Sequence, residues 1–237
     1  MFPPETDPDR ILHCPSPNHA GRRDGLRPRF VVLHHTAMAS AEAALERLCA
    51  PEFEVSAHWL IGRDGRLWSL VSEESRAWHA GAGRWGGYSD MNSRSVGIEI
   101  DNDGRTPFSA PARARLERLL PAVMARWAVP PEGVIAHSDM APGRKSDPGP
   151  RFDWRRLARL GLSVWPCAED GVPVDEARFL ADAGAFGWPA ELGLAPVLAA
   201  LRLRFRPGAS GPLAPADAAV AADLARRFPV DPGASGA

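Results

Sequence analysis

The chain predicts a mixed α/β fold, a central β-sheet flanked by helices, with a small C-terminal three-helix domain. Three observations lead there. Apolar runs at 30–35, 96–100 and 133–137 read as strands, the first buried on both faces. Helical patterns fall between them at 40–50 and 109–127, so the sheet is covered on both sides. Beyond residue 174 the strand signals stop, and three short alanine- and leucine-rich helical patterns follow.

Residues 1–28 are rich in Pro, Arg and Asp and read as an extended N-terminal arm. Phe30–His35 is a continuous apolar run that ends in two histidines. Ser40 can cap a helix that reaches about residue 50, with Ala41, Ala44, Leu45 and Leu48 on one face. Residues 57–61 and 67–71 flank Asp64-Gly65, a hairpin signal. In 96–100, Val96, Ile98 and Ile100 share one face and Glu99 takes the other. Residues 109–127 repeat Leu116, Leu119, Leu120, Val123 and Trp127 at helical spacing, and Pro121 predicts a kink or break. A short strand then ends at His137. Trp165-Pro166 closes this region and 166–174 reads as a linker. Gly and Pro punctuate the helical patterns at 175–188, 194–205 and 215–228, and the tail from Pro229 reads as disordered. The expected domains are therefore the arm at 1–28, a main domain at 29–165 and a helical domain at 172–230. The last supplies no histidine and no metal ligand, so it is expected to be dispensable for chemistry on small soluble substrates.

Composition excludes several classes. A formal net charge of −1 gives no reason to expect nucleic acid or an anionic membrane as partner. No apolar run approaches the roughly 18 residues that a membrane helix needs. Cys14, Cys49 and Cys167 are widely spaced and odd in number, so no disulfide framework is expected. The N-terminus shows no basic region followed by an apolar stretch, which points to the cytoplasm. An upstream start would point instead to the periplasm.

The chemistry concentrates at strand ends. His34 and His35 end one strand and His137 ends another. Asp147 follows in a Pro/Gly-rich loop that can fold back. Two histidines and a carboxylate leave zinc a fourth position for water, the pattern of a catalytic site. Alternation cannot choose between His34 and His35, since a sheet covered on both faces buries both. Asp139 competes with Asp147 as the carboxylate or serves as a turn residue; Asp101 and Asp103 read as turn formers. Glu99 is costly in a buried strand unless it is paired with an arginine or acts as a general base. The chain has 28 basic residues, of which only Lys145 is a lysine. A lone lysine among arginines marks a place where a slim point charge is needed, or a surface charge that escaped drift.

Five ordered segments carry a family resemblance. They are Val31-Val32-Leu33-His34-His35-Thr36-Ala37, Val55-Ser56-Ala57-His58-Trp59-Leu60-Ile61, Ala77-Trp78-His79-Ala80-Gly81, Asn92 with Ser95-Val96-Gly97-Ile98-Glu99, and Ala136-His137 through Pro150. Over about 29–165 the chain resembles the type 2 zinc-dependent N-acetylmuramoyl-L-alanine amidases, a group that includes phage-type lysozymes and peptidoglycan recognition proteins. It is most similar to the AmpD/AmiD branch.

The resemblance implies a peptidoglycan-recognition-like fold and a Zn2+ cofactor held by His34, His137 and Asp147. It implies Glu99 as the catalytic glutamate and Lys145 as the group that stabilises the oxyanion. It places Trp78, His79 and Asn92 toward substrate and gives His58 a structural role. Residues 172–230 resemble a three-helix peptidoglycan-binding domain. The implied reaction cleaves the amide between N-acetylmuramic acid, including its 1,6-anhydro form, and L-alanine of the stem peptide. Muropeptides would be the partners, in recycling or wall turnover. A non-catalytic recognition module and a phage-type lytic amidase are the alternatives.

Overall fold

The computed structural model describes residues 10–167 and 172–230. A six-stranded mixed sheet forms the centre, built from β1 (Ile11–His13), β3 (Phe30–His35), β4 (Trp59–Ile61), β5 (Leu67–Ser69), β7 (Ser95–Ile100) and β8 (Val134–Ala136). Their spatial order is β1-β5-β4-β7-β3-β8. β4 and β5 pair antiparallel, and every other neighbouring pair is parallel. A two-stranded antiparallel ribbon, β2 (His19–Gly21) with β6 (Ser75–Ala77), lies apart from it. The mixed sheet is thus the one expected. The segment read as an extended arm supplies its edge strand, β1, and one strand of the ribbon.

The first face carries Val31, Leu33, Val96, Ile98 and Ile100. α3 (Ala110–Trp127) covers it with Leu116, Leu119, Leu120 and Val123. Ser109 caps α3 by accepting the Ala112 N–H. Pro121 does not break this helix, which runs unbroken through it; the proline ring stands on the solvent side. α5 (Trp154–Arg159), which the periodicity did not predict, closes the same face with Trp154 and Leu157.

The second face is divided. Beside β4 and β5 it is covered by α1 (Ala41–Cys49), capped by Ser40, through Ala41, Ala44 and Leu48 against Leu60, Trp68 and Leu70. Beside β3 and β8 it is covered by the C-terminal helices α6 (Glu176–Phe186), α7 (Leu194–Phe205) and α8 (Pro215–Arg227). These three helices match the three patterns read beyond the linker. Their core is continuous with that of the sheet. Phe30, Val32, Ile135 and Trp85 pack in one cluster with Phe179, Phe186, Trp188, Leu201, Phe205 and Leu224.

One polar tie reinforces that continuity. The fully buried Arg204 of α7 donates to Asp139 Oδ2 at 2.5 Å, to Val134 O at 3.1 Å and to Ser163 Oγ at 3.1 Å. Its guanidinium lies 4.2 Å from the centre of the Trp154 ring. An isolated helical module would present a polar face here. Instead it sends its buried arginine into the main sheet.

The cysteines also hold something the spacing did not suggest. Cys14 and Cys49 lie 35 residues apart in sequence, yet their Sγ atoms approach to 3.6 Å, both as free thiols. The tail expected to be disordered lies, beyond Val230, outside the described residues.

Candidate metal and catalytic site

The gap between α1 and the C-terminal helices lies over the C-terminal ends of β3 and β7. A cavity of about 310 Å³ opens there. It is lined by His34, Trp78, His79, Glu99, His137, Lys145 and Asp147, among others.

Strand register explains the convergence. His34 and Glu99 are direct neighbours on parallel strands and so project to the same face. His35 points to the opposite face, where its ring packs against Gly104. Of the two histidines that alternation left open, His34 is the one whose ring nitrogen lies near His137 and Asp147, although His35 also borders the cavity. β8 delivers His137, which begins a short helical turn, α4 (His137–Met140), rather than ending the strand. The following loop folds back, held by the Ser138 N–H donating to Asp147 O at 3.0 Å.

Three donor atoms meet in this gap. His34 Nδ1 and His137 Nδ1 are 2.9 Å apart, and Asp147 Oδ2 is 3.0 Å from each. All three residues offer ligand atoms within 4.8 Å of one another. A tetrahedral zinc with ligands at about 2.0–2.1 Å has ligand–ligand edges of about 3.4 Å, close to this triangle. His137 Nε2–H donates to Ala80 O at 2.9 Å, which leaves its Nδ1 bare for coordination. Donor type, spacing and tautomer therefore fit a zinc ion.

Electrostatics set the three acids of this region apart. Burial pushes the Glu99 carboxyl up to about 8, and the nearby Asp147 charge adds to the rise. The residue keeps an edge toward the cavity, but its Oε2 is buried with no hydrogen-bond partner. Burial pushes Asp147 up as well, but the His137 and His34 imidazoles at its Oδ2 win and hold it well below the usual carboxylate range. Burial and the neighbouring His137 lower His34 to about 4, so it is neutral at pH 7. His79 is likewise lowered, by burial and then by His34. Asp139, the other candidate carboxylate, is fully buried and committed elsewhere. It accepts from Arg204, from the Ala136 N–H at 2.8 Å and from Trp188 Nε1 at 3.2 Å.

Lys145 is exposed on the cavity wall, with its N–H donating to Ala141 O at 3.0 Å. Trp78 and His79 also reach the wall. His79 is buried, however, and its Nδ1 lies 3.0 Å from His34 Nε2. Asn92 is not among the residues lining the cavity. Its Oδ1 accepts the N–H groups of His79 and Ala80 at 3.0 and 2.8 Å, so it fixes the backbone of the cavity wall. His58 is buried; its Nδ1 accepts the Gly97 N–H at 2.9 Å. Among the residues that sequence reasoning missed are Arg204 and Trp188, which brace the turn after His137. Their only sequence signal is an arginine within an apolar helix, and long-range partners cannot be read from that.

Comparison with known proteins agrees with this geometry. Residues 24–150 match the N-acetylmuramoyl-L-alanine amidase family model. The chain is 34% identical over 212 residues to the N-acetylmuramoyl-L-alanine amidase AmiD of Escherichia coli, covering 76% of each. It is 32% identical over 162 residues to the 1,6-anhydro-N-acetylmuramyl-L-alanine amidase AmpD of Enterobacter cloacae, covering 61% of this chain and 87% of that one. Among solved structures it resembles E. coli AmiD in complex with anhydro-N-acetylmuramic acid-L-Ala-D-gamma-Glu-L-Lys. There the TM-score is 0.78 at 31% identity, over 88% of this chain and 93% of that one. Pseudomonas aeruginosa AmpDh3 with anhydromuramic pentapeptide gives a TM-score of 0.77 at 32% identity, over 86% of this chain and 94% of that one.

Proposed function

Because the chain belongs to the N-acetylmuramoyl-L-alanine amidase family, we propose that this site works as a zinc hydrolase on muropeptides, with Glu99 moving the proton and Lys145 meeting the developing negative charge. The bond cleaved is the amide between N-acetylmuramic acid and L-alanine of the stem peptide. The 1,6-anhydro form is included among the substrates, a reading supported by the anhydromuramyl ligands of the two similar structures.

The observation that carries this reading is the triangle of His34, His137 and Asp147 beside an unpartnered carboxylate in an open cavity. These three residues would hold the ion. When bound, zinc supplies Lewis-acid chemistry that activates water and polarises a carbonyl. Glu99 accepts the proton of the attacking water and returns it to the leaving amine. A carboxyl raised to about 8 is mostly protonated at pH 7, so as a base it needs positive charge nearby. A dication held by His34, His137 and Asp147 would supply that charge and offset the part of the shift due to Asp147. Lys145 already acts in the same direction on Glu99. Its ammonium offsets charge on the carbonyl oxygen as the water adds.

Residues 29–165 are proposed to carry the chemistry, and 172–230 to combine core support with contacts to wall fragments. No helix among the described residues is long and apolar enough to cross a membrane. The cytosol is the proposed location; recovery of a processed N-terminus in a periplasmic fraction would overturn it.

The deciding experiment is mass spectrometry of products from defined anhydro and non-anhydro muropeptides incubated with zinc-loaded protein. Release of intact stem peptide with L-alanine at its N-terminus is expected. A folded, zinc-loaded protein that cuts only within the stem peptide would sink the proposal.

A further inference from the structure

We propose that His79 is a positioning residue for the metal site, the middle of a hydrogen-bond relay that dictates which nitrogen of His34 is free to ligate. The inference rests on reading His34 as a zinc ligand and adds what keeps it in the ligating form.

The relay starts at a group with no choice. Met91, the first residue of α2 (Met91–Arg94), offers a carbonyl O that can only accept, so Ser95 Oγ, 2.5 Å away, must donate its hydroxyl proton there. Ser95 Oγ then accepts from His79 Nε2, at 3.3 Å. With its proton on Nε2, neutral His79 presents a bare Nδ1. That nitrogen lies 3.0 Å from His34 Nε2, which must therefore be the donor. A neutral His34 with its proton on Nε2 has a bare Nδ1, and Nδ1 is the atom that faces His137 and Asp147. A backbone carbonyl thus fixes the tautomer of a metal ligand through two intervening side chains.

The surroundings are built for this ring. A Cβ on Gly97 would lie 2.4 Å from His79 Cγ, so the glycine in the middle of β7 is what lets the imidazole lie against the strand. Asn92 Oδ1 holds the His79 N–H at 3.0 Å from the other side. The His34 and His79 rings meet nearly edge to face, at 83°.

The choice of a neutral acceptor has a physical reason. Ligating histidines usually donate their outer N–H to a carboxylate, a carbonyl or water. A carboxylate here would bring another negative charge to a site that already holds Asp147 and Glu99. That charge would disfavour the ionised Glu99 needed for proton transfer. Imidazole accepts the hydrogen bond without adding charge.

The test uses the full chain and zinc itself, measured by competition with a metal indicator, together with 15N spectra of metal-free histidines. His79→Leu should weaken zinc binding by about 10–100-fold, the usual range for a lost outer partner. His79→Asn places an oxygen acceptor near the position of Nδ1 and should recover most of that loss, which a merely space-filling role would not give. Ser95→Ala leaves His79 in place and removes the fixed end of the relay. It should convert His34 from a single Nε2–H tautomer to a mixture. Zinc lost in His34→Ala but held at wild-type affinity by His79→Leu, or an unchanged tautomer in Ser95→Ala, would overturn the relay alone. Zinc retained by His34→Ala would overturn the ligand reading itself.

Discussion

Glu99→Gln should abolish turnover and at the same time stabilise the metal-free protein, increasingly so as pH rises. In the folded chain the carboxyl is raised from 4.5 to about 8, first by burial and then by Asp147. Between those two values the native state holds a proton that the unfolded chain has released. Stability from this group is therefore full below 4.5 and declines as pH climbs toward 8. The full shift corresponds to about 5 kcal/mol, an upper bound. The cavity is open and one edge of Glu99 faces it, so screening leaves roughly 2 kcal/mol as the expected loss. Glutamine keeps the shape and removes the titration. For a chain of this size each kcal/mol moves the Tm by about 2–4 °C. The melting difference between Glu99→Gln and wild type, both stripped of metal, should therefore widen by about 5 °C from pH 5 to pH 8. Adding zinc to both should narrow it, because a dication favours the ionised carboxylate. A gap that stays constant across that pH range would refute the assigned burial penalty.

Other expectations follow from the same geometry. Lys145→Ala should lower kcat by about 10²–10³ and Lys145→Arg by at least about tenfold, both with one zinc retained, since the lysine reaches the cavity but is not a ligand; wild-type kcat in zinc-loaded Lys145→Ala would remove it from the mechanism. His34→Ala should lose zinc while His35→Ala keeps most of it, because the two rings face opposite sides of the sheet; metal analysis of the purified variants decides. Arg204→Met should destabilise the protein by about 3–5 kcal/mol by leaving Asp139 buried without its cation, and Arg204→Met with Asp139→Asn should recover part of that loss in denaturant titrations. A chain ending at Trp165 should aggregate rather than turn over muropeptide, since it exposes Trp85, Val32 and Ile135; a soluble, zinc-binding product on size exclusion would show instead that the sheet stands alone.

Much of the sheet was legible because its strands are short apolar runs, continuous in β3 and alternating in β7. The rest was hidden for identifiable reasons. β1 and β6 are three residues each, too short to show a period, and they exist because partner strands accept them. The dispensability expected of the C-terminal helices came from their lack of histidines, yet what binds them to the sheet is apolar. Phe186, Trp188 and Phe205 look like an independent core in sequence and become half of a shared one in space. At the site, side-chain type and order identified His34, His137, Asp147, Glu99 and Lys145 as candidates. The role of His79 was less visible, because being near a cavity wall and being exposed on it are different things. The signal that could have found it is Gly97, a glycine in a strand interior, which marks a close approach.

Asp139, Asp147 and Glu99 show how placement rather than residue type assigns roles here. Asp139 and Asp147 sit on one stretch of chain after β8, and both were candidate ligands. Asp139 points down into the core, where Arg204, Trp188 and a backbone N–H consume both of its oxygens. Those contacts stiffen the turn that presents His137. Asp147 is carried back over the sheet by the loop, and its Oδ2 meets two imidazole nitrogens. Protons or a metal ion can serve as its counter-charge, and bare Nδ1 atoms favour the metal. Glu99 has neither arginine nor imidazole against its buried oxygen, so its charge is the least compensated of the three. A carboxylate in that state is poor for stability, and in the proposed reaction it is the group that takes a proton from water.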